Sequence, residues 1–496
     1  MSPTLPLLLI SASVAAPVAP PQDWAAALRQ DATAVHDDVA ANHPGPVDPA
    51  NLGFAAANDI GLAKAIKISA QVHDYPGYWF ALKAYVAGFD DGHMNLSPLP
   101  AAPVLPSRWP GFLTAFDATG AQRVVVRADA APLPVGATLV GCDGKPAERV
   151  AADNVGAYQG RWQLSAMRRY AGGTLFVDQG NPFITVPKRC TFLVEGRSRA
   201  IALDWRAIAR ETLAPYLAET TRRLVPPIAA TTLPDGTRWY TLSGFDTAAS
   251  SDSAKKLPPL IAAMKADRSA IATAPAIVLD LRGNNGGSSD WSDQIAQILW
   301  GQAAIDRLAS GAITVEWRAS PANLKTMVDG RNKQGSNASP EIGAWFGRTI
   351  SGMSTALAGH APLWRAPGEV GIRSSEAPPP ALAGPVYFLT DWGCGSACLD
   401  AADLWSALGA IQIGQETAAD TLYMDIRRDA LPSGFSRIVV PMKVYRGRKR
   451  GSNVSLRPIH AFTGDMRDTA MLQSWVATLP ERASRPRQAD TAGNTP

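Results

Sequence analysis

Two well-separated stretches of this chain share one order: a short apolar run, a glycine-containing turn, then a helical pattern. They are "AIVLDLRGNNGGSSDW" (276–291) and "VYFLTDWGCGSACLDAADLW" (386–405). Before them come "RWYTLSGF" (238–245) and a helix around "SAKKLPPLIAAMKA" (253–266); after them come "AIQIGQET" (410–417) and "AMLQSWVATL" (470–479). Strands separated by helices in this way predict an α/β layer built on a largely parallel sheet.

The remainder divides around that layer. Residues 23–99 carry apolar side chains at helical spacing in "DWAAALRQDATAVHDDVAANH" and "GYWFALKAYVAGF". Residues 100–205 change to short β-rich runs such as "QRVVVRA" and "FITVPKRCTFLVEG", punctuated by Pro and Gly. The α/β core then occupies 206–480, with an irregular excursion at 301–380 that contains "DGRNKQGSNASP" and "SSEAPPPALAGP". Residues 481–496 read as a disordered polar tail. At 496 residues and 46% hydrophobic composition the chain can bury a substantial, multidomain core.

Composition and termini bound the function. Charged residues are 18% of the chain and the net charge is +4, with no long basic run, so no nucleic-acid partner is expected. Residues 1–22 form an apolar run of signal-peptide length that ends in small residues ahead of a Pro-rich stretch, although its start carries no Lys or Arg. The expectation is export to the periplasm or beyond. No other stretch approaches the roughly 20 apolar residues of a membrane span.

The four cysteines are compatible with an oxidising compartment. Cys142 and Cys190 fall in the β-rich segment and can bridge. Cys394 and Cys398 flank Ser396; their spacing of four allows a disulfide across a helix turn, and free buried thiols are the favoured reading. Neither pair has the spacing of a zinc site, and the "HDD" at His36 and "HD" at His73 lack partners at ligand spacing, so no metal and no cofactor are expected.

A strand ending at "VYFLT", a glycine turn and a helix starting near Ser396 place that hydroxyl at a helix N-terminus, where free amides favour negative charge. Attack by Ser396 on a carbonyl would create an oxyanion that the Ala397 N–H is placed to hold; serine at such a position also serves as a plain helix N-cap. The loop after "AIVLDLRG" offers a second donor, Gly286 or Gly287, or is simply a tight turn. It matches neither a phosphate-binding Walker loop nor a dinucleotide fingerprint. A serine needs a base. Of the six histidines, His93 stands in the displayed loop "DDGHMN".

Together these stretches resemble the C-terminal processing (tail-specific) and tricorn-core serine peptidases. The resemblance rests on "VLDLRGNNGG", "VYFLTDWGCGSACLDAADL" followed by "IGQET", "HPGP", "DGHMNL" and "RWYTLSGF", and spans most of residues 30–475. It implies a ClpP/crotonase-like α/β catalytic core, an N-terminal helical region and a PDZ-like domain at 100–205, where "PVGATLVGCDGKPAERV" lies. It implies Ser396 as the acylating nucleophile and the Gly286 and Ala397 amides as the oxyanion hole. The processing branch takes a lysine after the "IG-x-x-T" strand, but this chain has Asp420 near that place. The tricorn-like branch takes a histidine from a "DGH" loop, which makes His93 the expected base. The glutamate that orients that histidine in the branch is missing; "RGSNVSLRPIH" puts Ser452 and Asn453 in its neighbourhood, so Glu416, Asp420 and Ser452 remain candidates. His460 is read as structural or substrate-facing. The expected function is an exported peptidase acting on peptides or proteins; the rival is a catalytically silent member that binds peptides or apolar ligands.

Overall fold

The computed structural model describes residues 22–117, 119–308, 313–334, 340–366 and 376–482. The candidate signal at 1–22, except its last residue, and the tail from 483 lie outside them. A six-stranded sheet forms the centre, in the order Ala229–Thr232, Arg238–Thr241, Ile277–Asp280, Val386–Thr390, Ile411–Gly414 and His460–Ala461. The first pair is antiparallel and the rest are parallel, with Leu279 beside Phe388 and Tyr387 beside Ile411.

The central strands are apolar on both faces because both are covered, as a parallel sheet between helices requires. Leu279 and Phe388 face the helices Asp252–Ala266, Asp290–Trp300 and Ala397–Ala407, meeting Leu257, Ile295 and Trp405. Val278, Tyr387 and Ile413 face the other way, onto Leu472 and Val476 of the helix Thr469–Val476. At the C-terminal end of its strand, Asp280 is buried against Arg282 at 2.6 Å. Trp239 Nε1 donates to the same carboxylate and Arg282 Nη1 donates to the Met466 carbonyl, so this pair staples the sheet to the last helix.

The segment 301–380 is more ordered than its turn residues predict. It holds the strands Thr314–Arg318 and Leu363–Ala366 and the helices Pro321–Gln334 and Pro340–Ala358. Val315, Trp317, Met327 and Met353 give it a buried cluster of its own.

Both strands belong to a second sheet centred on Ser436–Arg446, which also pairs with Tyr423–Ala430 and, antiparallel, with Asn95–Pro98 from the N-terminal region. The N-terminal helices Trp24–Asn42, Phe54–Ser69 and Tyr75–Ala87 pack on this sheet, and Leu28, Tyr78 and Leu82 share a core with Ile438, Val440 and Val444.

The β-rich region is an antiparallel sheet of Phe112–Phe116, Gln122–Arg127, Thr138–Cys142, Arg189–Val194 and Arg197–Ala202. Cys142 and Cys190 oppose each other across it and are disulfide-bonded. Cys394 and Cys398 also form a disulfide, which corrects the expectation of free thiols: the helix starting at Ala397 carries Cys398 back over Cys394, leaving their Cα atoms 5.3 Å apart.

Candidate active site

The strand Val386–Thr390 delivers a turn organised by Asp391. Its Oδ1 accepts the Gly393 N–H at 2.8 Å and its Oδ2 accepts the Gly283 N–H at 2.9 Å, so one carboxyl ties the two glycine loops together. Burial pushes this carboxyl above the usual aspartate range, and the Arg223 guanidinium beside it opposes the shift. Arg223 also packs against Gly393 and lies 5.5 Å from the Trp392 ring.

Ser396 stands at the apex of the turn, half-buried between buried neighbours. Its side chain makes no capping bond, which sets aside the plain N-cap role. Its backbone, at φ 54° and ψ −128°, occupies a region costing about 1–3 kcal/mol for a non-glycine residue, so its surroundings must hold it there. One restraint is Asp420, whose Oδ2 accepts the Ser396 N–H at 2.5 Å. Another is the glycine loop beneath. A Cβ on Gly286 (φ 104°) would lie 2.6 Å from the Ser396 Cβ and 3.0 Å from the Ala397 nitrogen. Only glycine admits that approach.

The three candidate oxyanion donors differ. Gly286 donates its N–H to Asn284 Oδ1 at 2.9 Å. Gly287 lies opposite Phe245 in a short bridge made by its neighbours, the Gly286 carbonyl accepting the Phe245 N–H and the Ser288 N–H donating to the Phe245 carbonyl, and the Gly287 N–H has no acceptor among the described residues. The Ala397 N–H likewise has none, as the first residue of its helix has no intrahelical acceptor. The Ala397 amide directly follows Ser396, whereas Gly286 is the loop glycine that touches the turn and Gly287 packs against Phe245.

His93 follows a buried aspartate. Asp91 Oδ1 accepts the His93 N–H at 2.8 Å and the Thr421 hydroxyl at 3.1 Å, while its Oδ2 faces His43 Nε2 at 3.4 Å. The Gly45 N–H donates to His43 Nδ1 at 2.8 Å, which leaves the His43 proton on Nε2, toward Asp91. Burial foremost holds His43 below its usual range; burial alone would raise Asp91, but its bonds with His43 keep that carboxyl below its own. The "HPGP" and "DGH" motifs thus meet as one buried pair. The sequence displayed both motifs, but assigned His43 no partner.

The "DGH" loop is held against the nucleophile side by two further links. Arg161 Nη1 donates to the Ala419 carbonyl and packs over Gly92. Asn453 Nδ2 donates to the Asp90 carbonyl and its backbone N–H to the Asp420 carbonyl, both at 2.8 Å. His93 Nδ1 and Asn453 Oδ1 are both buried without a hydrogen-bond partner among the described residues.

No hydrogen bond joins His93 to Ser396, nor to any of the three candidate orienting residues. Asp420 holds the Ser396 amide, Glu416 Oε2 accepts from Ser165 at 3.0 Å, and Ser452 Oγ accepts from the Leu422 N–H at 3.3 Å. His460 pairs with Glu481 at 2.7 Å, away from this junction. No cluster of metal-ligating side chains occurs among the described residues. A cavity of about 610 Å³ lies between Phe116 and Arg169 of the β-rich region and Asp391, Trp392, Glu416 and Arg457 of the core; it reaches the start of the Asp391 turn, and neither Ser396 nor His93 lines it.

The architecture is a multidomain α/β fold in which a mostly parallel sheet presents a strained serine turn at its carboxyl edge. The same fold occurs in mature CPAF, which superposes with a TM-score of 0.57 at 15% identity over 88% of this chain and 93% of that one. CPAF complexed with lactacystin gives 0.57 at 14% identity over 92% and 98%. The photosystem II D1 C-terminal processing protease aligns over 88% of this chain and 92% of its own, at 12% identity and a TM-score of 0.33. No protein-family model matches the chain, and no curated protein matches it.

Proposed function

We propose that this chain is an exported serine peptidase that cleaves peptide bonds through an acyl-enzyme on Ser396. The observation that carries this reading is the Ser396 turn itself. Its hydroxyl caps nothing, its backbone is held in a strained conformation, and the amide of the next residue, Ala397, has no acceptor among the described residues. In the proposal Ala397 supplies one donor; the Gly286 amide is engaged by Asn284, and Gly286 or Gly287 is the candidate for the second.

His93 is the general base of the proposal, taking the serine proton and returning it to the leaving amine. Its loop is tied through Asp91 and Thr421 to the segment whose Asp420 holds Ser396. Of the candidates for orienting the imidazole, Glu416, Asp420, Ser452 and Asn453, the last has an unpartnered buried Oδ1 on the same junction. Substrates are peptides or proteins entering the cavity between the β-rich, PDZ-like region and the core. Two disulfides support export to an oxidising compartment. No helix among the described residues is long and apolar enough to cross a membrane.

A silent peptide-binding protein is the second reading, favoured by the absence of a His93–Ser396 hydrogen bond. A fluorophosphonate probe separates the two. The proposal expects labelling of wild type, none in Ser396→Ala, and labelling slowed by about 100-fold or more in His93→Ala. Folded wild type that binds peptides yet never labels would establish the second reading.

A further inference from the structure

Ser396 lies at the centre of a covalent ring. The Cys394–Cys398 disulfide spans it, with Gly395 and Ala397 between it and the two cysteines. We propose that this cross-link is a positioning device for the nucleophile, so that activity depends on the oxidised state of this cysteine pair; the inference rests on Ser396 being the nucleophile.

Both anchors of the ring are immobilised. Cys394 donates its N–H to the Asp391 carbonyl, Cys398 donates to the Gly395 carbonyl inside the first helical turn, and both residues are fully buried at 0% exposure. The strand end and the helix start are thereby joined, and Ser396 is the half-exposed point left between them. A non-glycine residue stays in its sparsely populated conformation only where the surroundings over-determine it. The Asp420 carboxylate and the Gly286 loop press on the turn from other segments, whereas the disulfide is a covalent restraint within the turn itself.

Reduction removes that restraint. An external dithiol supplies two electrons and two protons, the S–S bond breaks, two thiols form, and the dithiol departs as its own disulfide. Unbonded sulfurs need more separation than bonded ones, and with both cysteines fully buried the turn is the part free to yield. Ser396 Oγ and the Ala397 N–H then lose their mutual alignment. A displacement of about 1 Å at such a site costs rates of about 100-fold. The protein would be latent in a reducing compartment and would become active on oxidation.

The Cys142–Cys190 bridge, distant in sequence and set between paired strands of the β-rich sheet, is the internal control. The experiment measures fluorophosphonate labelling and peptide turnover alongside thermal unfolding. Cys394→Ala/Cys398→Ala is expected to label about 10- to 100-fold more slowly, with kcat lowered and KM little changed. Cys142→Ala/Cys190→Ala is expected to melt earlier but to label at the wild-type rate per folded molecule. In that second background dithiothreitol should slow labelling to the level of the first variant, and oxidised glutathione should restore it. Wild-type labelling by the folded Cys394→Ala/Cys398→Ala variant, or by folded reduced protein, would overturn the inference. Should the variant not fold, the reduction experiment decides alone. Persistent labelling of Ser396→Ala would instead remove the nucleophile on which the inference stands.

Discussion

Gly286 has no room for a side chain, because its α-carbon lies against Ser396 and Ala397 and its φ of 104° belongs to glycine. In Gly286→Ala the methyl group must push the serine turn or the glycine loop aside. The expected result is loss of at least about 100-fold in kcat with the fold retained, and a stability loss of about 1–3 kcal/mol from the backbone alone, checked by turnover and by thermal unfolding. The sequence made Ser396 and the glycine loop legible, since each is a contiguous pattern. It did not reveal that Asn284 takes the Gly286 amide or that Asp420 takes the Ser396 amide. Those partners depend on which atoms meet after folding, and nothing in the spacing of "IGQETAAD" marks Asp420 as an acceptor for a residue twenty-four positions earlier.

Among the elements, the strand Ile277–Asp280 illustrates how a motif can be visible while its job is not. Its "DLR" ending puts Asp280 and Arg282 at the C-terminal end of the strand without showing what they meet there. In the fold, Asp280 and Arg282 are both buried and turn away to join Trp239 and the Met466 carbonyl, anchoring the helix Thr469–Val476. Removing one partner of such a pair strands a buried charge, at a cost of about 3–5 kcal/mol. Arg282→Ala is therefore expected to lower the unfolding midpoint in urea by an amount matching that loss. Arg282→Met/Asp280→Leu, which removes both charges, should recover much of it. The segment 301–380 shows the opposite failure: its Gly- and Pro-rich ends dominate the reading, while Trp317 and Met353 supply the buried contacts that order it.

For the whole molecule the decisive feature is that the first and last parts of the chain are one unit. The strand Asn95–Pro98 pairs with Ser436–Arg446, and the buried His43–Asp91 pair connects the N-terminal region to Thr421. Burial holds His43 below its usual 6.5, so the unfolded chain binds protons more readily than the folded one between that value and the folded pKa. Stability from this group is present above 6.5 and is lost as pH falls below it; Asp91, also held low, adds loss at still lower pH. Thermal unfolding followed from pH 7.5 to 5 should show a falling midpoint, and the slope should flatten in His43→Gln. A slope unchanged by that substitution would assign the pH dependence to other groups.

What the sequence determined by itself was the order of strand, glycine turn and helix, the serine at the helix start and the histidine in a displayed loop, because each is written in neighbouring residues and enforced by local sterics and periodicity. What only the tertiary structure decided was the pairing: Asp420 with the Ser396 amide, His43 with Asp91, and the N-terminal strand with the last sheet. Such contacts form between residues whose approach is set by the register of strands and the packing of helices over the entire chain, and no local pattern carries that information.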